Sequence, residues 1–233
     1  MMKFVLSFFA IVGALGLLAS PLFHIQRVEA TGYQVVSPQV IQHAVADGNI
    51  FTFSGRATRQ ALLENPYIYR VVTSRQFLRR TVTVDVVERP KVAYVHFNDT
   101  HYFYIDREGR ILEVSTQRQS PLPVVKGLAF SPFVVGEILA IDNPHAFDTI
   151  AYLAGLFLTY DLDPDTLTLN VSDPQNLVVN YGNILIYLGP NQHLDAKLRT
   201  ALSILPSIAH FKPIGGTLHV SHLDEPWFFS LPT

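Results

Sequence analysis

Hydrophobic and polar positions along this chain change their period several times, and each change marks an element. Residues 4–23 (FVLSFFAIVGALGLLASPLF) run for twenty residues without a charge. As a helix rising 1.5 Å per residue, that run would cover about 30 Å, the thickness of a hydrocarbon core. Residues 24–31 (HIQRVEAT) alternate weakly, with Ile25 and Val28 out of strict phase, and are a strand candidate by pattern alone. Ser37 then reads as a helix N-cap with Pro38 at the first helical position. Val40, Ile41, Ala44 and Val45 form one apolar face, and Gly48 stops the helix. A second short helix is predicted over 56–64, capped by Ser54, with Leu62 and Leu63 inward and Asn65-Pro66 as terminator. Two strands follow. Residues 67–73 are rich in β-formers, and Val82, Val84 and Val86 alternate with Thr81, Thr83 and Asp85, the signature of a sheet with one wet face. The order is β-α-α-β-β.

Beyond Pro90 the pattern turns to strands and tight turns. A strand at 92–97 precedes a hairpin whose arms, 102–106 and 110–114, are joined by Arg107-Glu108-Gly109, with the glycine suited to a left-handed turn position. Residues 122–126 read equally as a short strand or as an extended link between Pro121, Pro123 and Gly127. Asn143-Pro144 opens the longest helix, on which Phe147, Ile150, Ala151, Ala154 and Leu158 repeat at helical spacing to about Tyr160. Strands at 166–171, 177–181 and 184–188 follow. An amphipathic helix over 195–205 places Leu198, Leu202 and Leu205 inward and Lys197 and Arg199 outward. A final strand, 217–222, follows Gly215-Gly216 and is a candidate sheet edge or an ordinary inner strand. The class is α+β: an N-terminal membrane helix, a β-α-α-β-β module, and a mixed β-sheet lobe with two amphipathic helices. The domain boundaries read as a tail at 1–3, the span at 4–23, the module at 24–90 and the β-lobe at 91–233.

Composition narrows the chemistry. At 233 residues, 48% hydrophobic and 15% charged, the chain has material for one or two well-packed lobes. A net charge of -2 lacks the positive field that nucleic-acid binding needs, so no nucleic acid is expected. With no cysteine there is no disulfide and no thiolate nucleophile or ligand. Hydrolase, zinc-protease, P-loop and dinucleotide motifs are all missing, so no catalytic residue, cofactor or small-molecule substrate is assigned. His219 and His222 stand three apart, which on a strand sends them to opposite faces. Asp161, Asp163 and Asp165 resemble a calcium loop but have Thr166 and Ser172 where glycine and glutamate belong. No metal site is expected from either group.

Met1, Met2 and Lys3 precede the apolar run, and the start amine with Lys3 favours the amino terminus inside and the bulk of the chain outside the cytoplasm. A cleaved signal peptide is the alternative, with Val28-Glu29-Ala30 as the cleavage site inside a segment also needed as a strand. Between 70 and 91, Arg70, Arg75, Arg79, Arg80, Arg89 and Lys91 exceed Asp85 and Glu88 by four charges. Such a stretch fits a solvated sheet face, or a docking surface for an acidic partner or anionic lipid headgroups near a membrane.

The ordered set of motifs resembles the FtsQ/DivIB cell division proteins, whose first extracytoplasmic module is a POTRA domain. The resemblance is carried by the span and by residues 23–32 (FHIQRVEATG), Gly48-Asn49-Ile50-Phe51 and Asn65-Pro66-Tyr67-Ile68. It continues through Val87-Glu88-Arg89-Pro90-Lys91-Val92-Ala93, Tyr104-Ile105-Asp106 with Gly109, Leu122-Pro123 with Gly127, Ile186-Tyr187-Leu188-Gly189 and Lys197-Leu198. In the family the proline of the corner stands one position later. Here Pro90 has no amide hydrogen to donate, so it ends the alternating strand and turns the chain into the second lobe, leaving Glu88 and Arg89 as polar hinge residues.

The resemblance implies a non-enzymatic scaffold of the division machinery in the cell membrane, single-pass, enriched at the septum. Its implied partners are small coiled-coil proteins of the FtsB/DivIC and FtsL type and, through them, the septal peptidoglycan synthase, with membrane lipid held by residues 4–23. The implied partner-binding set is Thr217, Leu218, His219, Val220, Ser221, His222, Leu223 and Trp227, with Lys197 and Arg199. Relatives often read Asp, apolar, Arg, Tyr where this chain has Val220, Ser221, His222 and Leu223. The other function classes weighed are an anchored extracytoplasmic hydrolase and a POTRA-containing transport or assembly factor.

Overall fold

A computed structural model describes residues 20–45, 48–98, 100–118 and 121–232, so residues 4–19 of the predicted span lie outside the described residues. Among the described residues no helix is long and apolar enough to cross a membrane. The last residues of the predicted span are not α-helical. Pro21–Phe23 form a 3-10 turn, as expected where a proline leaves the preceding carbonyls without an amide partner. The chain divides into two compact units between Arg89 and Pro90.

The first unit contains strand β1 (Arg27–Thr31), helices α1 (Pro38–Val45) and α2 (Gly55–Leu63), and strands β2 (Ile68–Gln76) and β3 (Thr81–Glu88). The sheet order is β1-β3-β2, with β3 parallel to β1 and antiparallel to β2. A parallel neighbour needs a long crossover, which the two helices and β2 supply. β3 takes the centre because its alternating valines, Val82, Val84 and Val86, are at most 1% exposed beneath Ile41, Val45, Ile50 and Leu62. Ser54 caps α2 by accepting a hydrogen bond from the Ala57 amide at 3.2 Å. Two predicted inward residues, Val40 and Leu63, are instead exposed. Each sits about 100° around a short helix from a neighbour, Ile41 or Leu62, that already fills the core, and a narrow sheet has room for one of each pair.

The end of β3 corrects the hinge reading of Glu88 and Arg89. The Glu88 carboxylate accepts hydrogen bonds from the amides of Val35 and Val36 at 2.9 and 2.8 Å, holding the approach to α1. The Arg89 amide donates to the Tyr67 carbonyl at 2.7 Å, and its guanidinium lies over the Tyr69 ring at 4.9 Å. Both residues close the first unit on itself.

The second unit is a nine-stranded sheet in the order β12-β11-β10-β9-β8-β7-β4-β5-β6. Its strands are β4 (Ala93–Asn98), β5 (His101–Ile105), β6 (Ile111–Ser115), β7 (Val124–Lys126), β8 (Leu167–Asn170), β9 (Leu177–Tyr181), β10 (Ile184–Gly189), β11 (Gly216–His219) and β12 (Phe228–Ser230). Residues 124–126 are thus a strand, parallel to β4 on one side and β8 on the other. Helices α3 (His145–Thr159) and α4 (Leu194–Ile204) pack Phe147, Ile150, Leu153, Phe157, Leu198 and Ala201 with the apolar face of the sheet. Leu158, predicted inward, is 69% exposed because Phe157 beside it takes the core position. In the β5–β6 turn Gly109 has φ +79°, and a Cβ there would fall 2.4 Å from the Phe147 ring, so the turn needs glycine for both reasons.

Replacing Glu88 with Ala should leave the Val35 and Val36 amides without their acceptor and lower stability by about 1–3 kcal/mol. A urea denaturation midpoint within error of wild type would show that this fork does not hold the unit together.

Candidate functional site

The sheet ends at β12. Cross-strand register places Tyr187 of β10, His219 of β11 and Phe228 of β12 side by side. The Tyr187 and His219 rings are 5.3 Å apart, and His219 stacks on Phe228 at 4.1 Å with 13° between the planes. On the side of Tyr187 away from β12, its hydroxyl donates to Asn176, whose side-chain amide donates to Asp173. A hydrogen bond from the Gln175 amide at 2.8 Å, and after it the one from Asn176, hold the Asp173 carboxyl below its ordinary pKa. Burial pushes the His219 imidazole down from its ordinary value of 6.5, so the ring stacks as a neutral aromatic.

On the opposite face the same register aligns Ile186, Leu218 and Phe229. Ile186 and Leu218 are buried, and Phe229 packs on Phe211 at 5.2 Å between centroids. One aromatic therefore roots β12 in the core while the next, Phe228, remains 57% exposed. Gly216 permits this closeness. A Cβ at Gly216 would lie 2.3 Å from Phe229 Cζ and 2.7 Å from the Ser230 carbonyl oxygen.

The predicted last strand is neither last nor outermost. β11 stops at His219 and is covered on its outer side by β12, a strand the sequence reading missed. The missed signal is two phenylalanines bounded by Pro226 and Pro232, the pattern of a very short strand between breakers. Of the predicted partner-binding residues, Leu218 and Val220 are core, at 0% and 3% exposure. Thr217 and His219 are half-buried, while His222, Leu223 and Trp227 are exposed.

Lys197 was expected on the outward face of its helix but is buried, donating from Nζ to the Pro190 carbonyl at 2.8 Å. A long aliphatic stem lets an ammonium reach that carbonyl while its carbons fill space beside the sheet, and burial pushes its pKa down. Lys197 shares a groove of about 470 Å³ with Ser221, His222, Leu223, Asp224 and Glu225. Arg199 lies elsewhere. It pairs with Asp195 at 2.7 Å and donates to the Tyr160 hydroxyl at 3.2 Å, and these two groups, Tyr160 first, raise its pKa. Among the described residues, no group of three or more histidine, aspartate or glutamate side chains could hold a metal ion.

The β-α-α-β-β order of the first unit, followed by a mixed sheet with two helices, defines the class: an α+β protein whose first module has the POTRA order. Residues 23–89 match the POTRA domain, FtsQ-type. Most of the chain is similar to "Cell division protein DivIB" of Clostridium tetani, 25% identical over 189 residues, covering 79% of this chain and 71% of the relative. The same is true of its namesake from Clostridium botulinum (strain Hall), 24% identical over 213 residues, covering 90% of this chain and 82% of the relative. An FtsQ-type POTRA match in the first unit, with similarity to DivIB cell division proteins over most of the chain, supports a division protein of this kind.

Two outcomes follow from this geometry. Gly216→Ala should push β12 off the sheet at a cost of about 1–3 kcal/mol, the usual range for overpacking. Amides of β11 and β12 should then exchange with deuterium at least ten-fold faster while β8 and β9 keep their protection; unchanged exchange would place the strand's hold elsewhere. The lowered His219 pKa also gives a pH dependence. The unfolded chain takes a proton there before the folded one, so this share of stability is intact above pH 6.5 and is lost as pH falls through 6.5 toward the folded value. The urea midpoint should drop more between pH 7.5 and 5.5 in wild type than in His219→Phe, and equal drops would dismiss the ring as the source.

Proposed function

We propose that this chain is a non-enzymatic scaffold of the division machinery, held in the cell membrane by residues 4–23, with its two units outside the cytoplasm and its place at the septum. Residues 1–3 are then a cytoplasmic tail, 24–90 the POTRA module and 91–233 the partner-binding lobe. Similarity to DivIB proteins over most of the chain supports the division role. The uncharged apolar run supports the anchor. The cleavage alternative would cut through β1, which pairs with the central strand of its sheet over all five of its residues, and that favours an uncleaved chain.

The observation that carries the partner-binding part is β12. Among the described residues it has no ladder neighbour on its far side, and exposed Trp227, Phe228 and Leu231 lie in and beside it. An edge of this kind accepts an added strand through its backbone and selects it through the side chains alongside. The fitting partners are the extracytoplasmic segments of small single-span coiled-coil proteins of the FtsB/DivIC and FtsL type. The chain would reach the septal peptidoglycan synthase indirectly, through them.

Trp227 is 48% exposed, so truncating it should leave the fold alone while removing a large anchor from the edge. Trp227→Ala should weaken capture by an immobilised FtsB/DivIC-type segment about ten-fold or more, with the urea midpoint unmoved. Wild-type capture by the variant would remove Trp227 from the interface. A fluorescent fusion of the full chain spread evenly around the cell during constriction would overturn the scaffold reading itself.

A further inference from the structure

The first unit carries a second surface that the division reading leaves unused. Its β2–β3 turn, residues 77–80, lies against the point where the chain enters the unit. The Arg80 guanidinium donates to the Leu22 carbonyl at 2.6 Å, and the Gln26 amide donates to the Arg80 carbonyl at 2.9 Å. The Ile50 amide donates to the Phe23 carbonyl at 2.9 Å, and the Phe23 ring meets Phe51 at 5.0 Å. Phe51 meets Phe77 at 5.3 Å. The 3-10 turn at the chain's entry, the loop before α2 and the hairpin turn are therefore stapled together at one end of the module.

That end is apolar at its tip and basic behind it. Leu78 is 102% exposed and Leu22 66%, with Phe51 and Phe77 partly exposed beside them. A wholly exposed leucine at a turn flanked by exposed aromatics has no packing role in the unit. Arg75 is committed inward: its guanidinium donates to the carbonyls of Ile50, Phe51 and Phe53 and lies 4.7 Å from the Phe77 ring centroid. Arg80 turns the hairpin with φ +49° and is committed to Leu22. Arg79 is exposed, and its side chain has no partner among the described residues. It lines a groove of about 760 Å³ with Arg27, Glu29, Arg80, Gln26 and Gln76, in which Glu29 pairs with Arg27 at 3.9 Å.

We propose that this tip is a lipid-contacting element: Leu78, with Leu22, Phe51 and Phe77, enters the boundary between headgroups and acyl chains, and Arg79 meets anionic headgroups. The proposal rests on the reading of residues 4–23 as an anchor. The position of the tip argues for lipid over an acidic protein. Leu22 is the final leucine of the uncharged run that would span the bilayer, and Arg80 holds the hairpin against its carbonyl. Apolar side chains with basic residues close behind are the pattern of interfacial elements. The module would be seated on the leaflet by two points, its entry and this turn, and its tilt on the anchor would be restricted accordingly.

The chain has no cysteine, so a single one can be placed and labelled cleanly. Full-length Leu78→Cys carrying an environment-sensitive fluorophore is reconstituted into phosphatidylglycerol/phosphatidylcholine vesicles containing nitroxide-labelled lipid. Leu63→Cys is the control, exposed on α2 near the start of β2, about 25 Å of strand away from the turn. Quenching at position 78 should be at least two-fold stronger than at 63, and should fall by about half with Arg79→Glu or in purely zwitterionic vesicles. Equal quenching at the two positions, in protein that resists alkaline extraction, would overturn the tip contact, leave the anchor standing and assign the turn to a protein partner. Protein released by alkaline extraction would remove the anchor reading and this proposal with it.

Discussion

The approach of β12 to Gly216 governs how the second unit ends. A nine-stranded sheet must finish somewhere, and any finishing strand exposes amides and carbonyls to whatever strand drifts past. Here that strand is three residues long, bounded by Pro226 and Pro232 and seated by Phe229 in the space that a side chain on Gly216 would fill. Shortness and the prolines limit indiscriminate pairing. Phe229, packed on Phe211, roots so short a strand against the core, while its neighbours Trp227 and Phe228 stay exposed.

The first unit solves a different problem with the same means. Its central strand must sit parallel to a strand from the other end of the module, which costs loop entropy that local contacts cannot return. Burial of Val82, Val84 and Val86 offsets that cost, and the Glu88 carboxylate locks the crossover by holding the Val35 and Val36 amides just ahead of α1. The corner that reads in sequence as a polar hinge is thus the fastening of the module, and Pro90 is the first residue free of it.

How much of this was legible follows from where the information resides. Period-two valines, the Ser54 cap and Gly109 are local signals, and β3, α2 and the β5–β6 turn stand where those signals put them. Adjacent apolar pairs are different. Val40 with Ile41, Leu62 with Leu63, and Phe157 with Leu158 each contain one core residue, and only the tertiary neighbour decides which. Lys197 shows the reverse case: a charged residue scored as surface is buried because its stem reaches the Pro190 carbonyl, a partner in a loop that no spacing rule identifies. Strand β12 was hidden because three residues hold too few alternations to register a period, and the outer-edge role fell on β11 as a result.

The same logic bears on the departure from the Asp, apolar, Arg, Tyr pattern that the family resemblance leads one to expect. If recognition at this edge were mainly charge pairing, Val220, Ser221, His222 and Leu223 would leave little of it, since Val220 is buried and Leu223 is apolar. Backbone pairing is indifferent to that exchange. What the chain presents instead is an aromatic row, Tyr187, His219 and Phe228, on one side of the outer strands, with Trp227 at the start of β12. On the proposed reading, a partner strand adding beyond β12 would meet flat, weakly hydrated rings. Its selection would then depend on apolar residues at alternate positions, and association would vary little with salt, because no formal charge sits in the row while His219 is neutral.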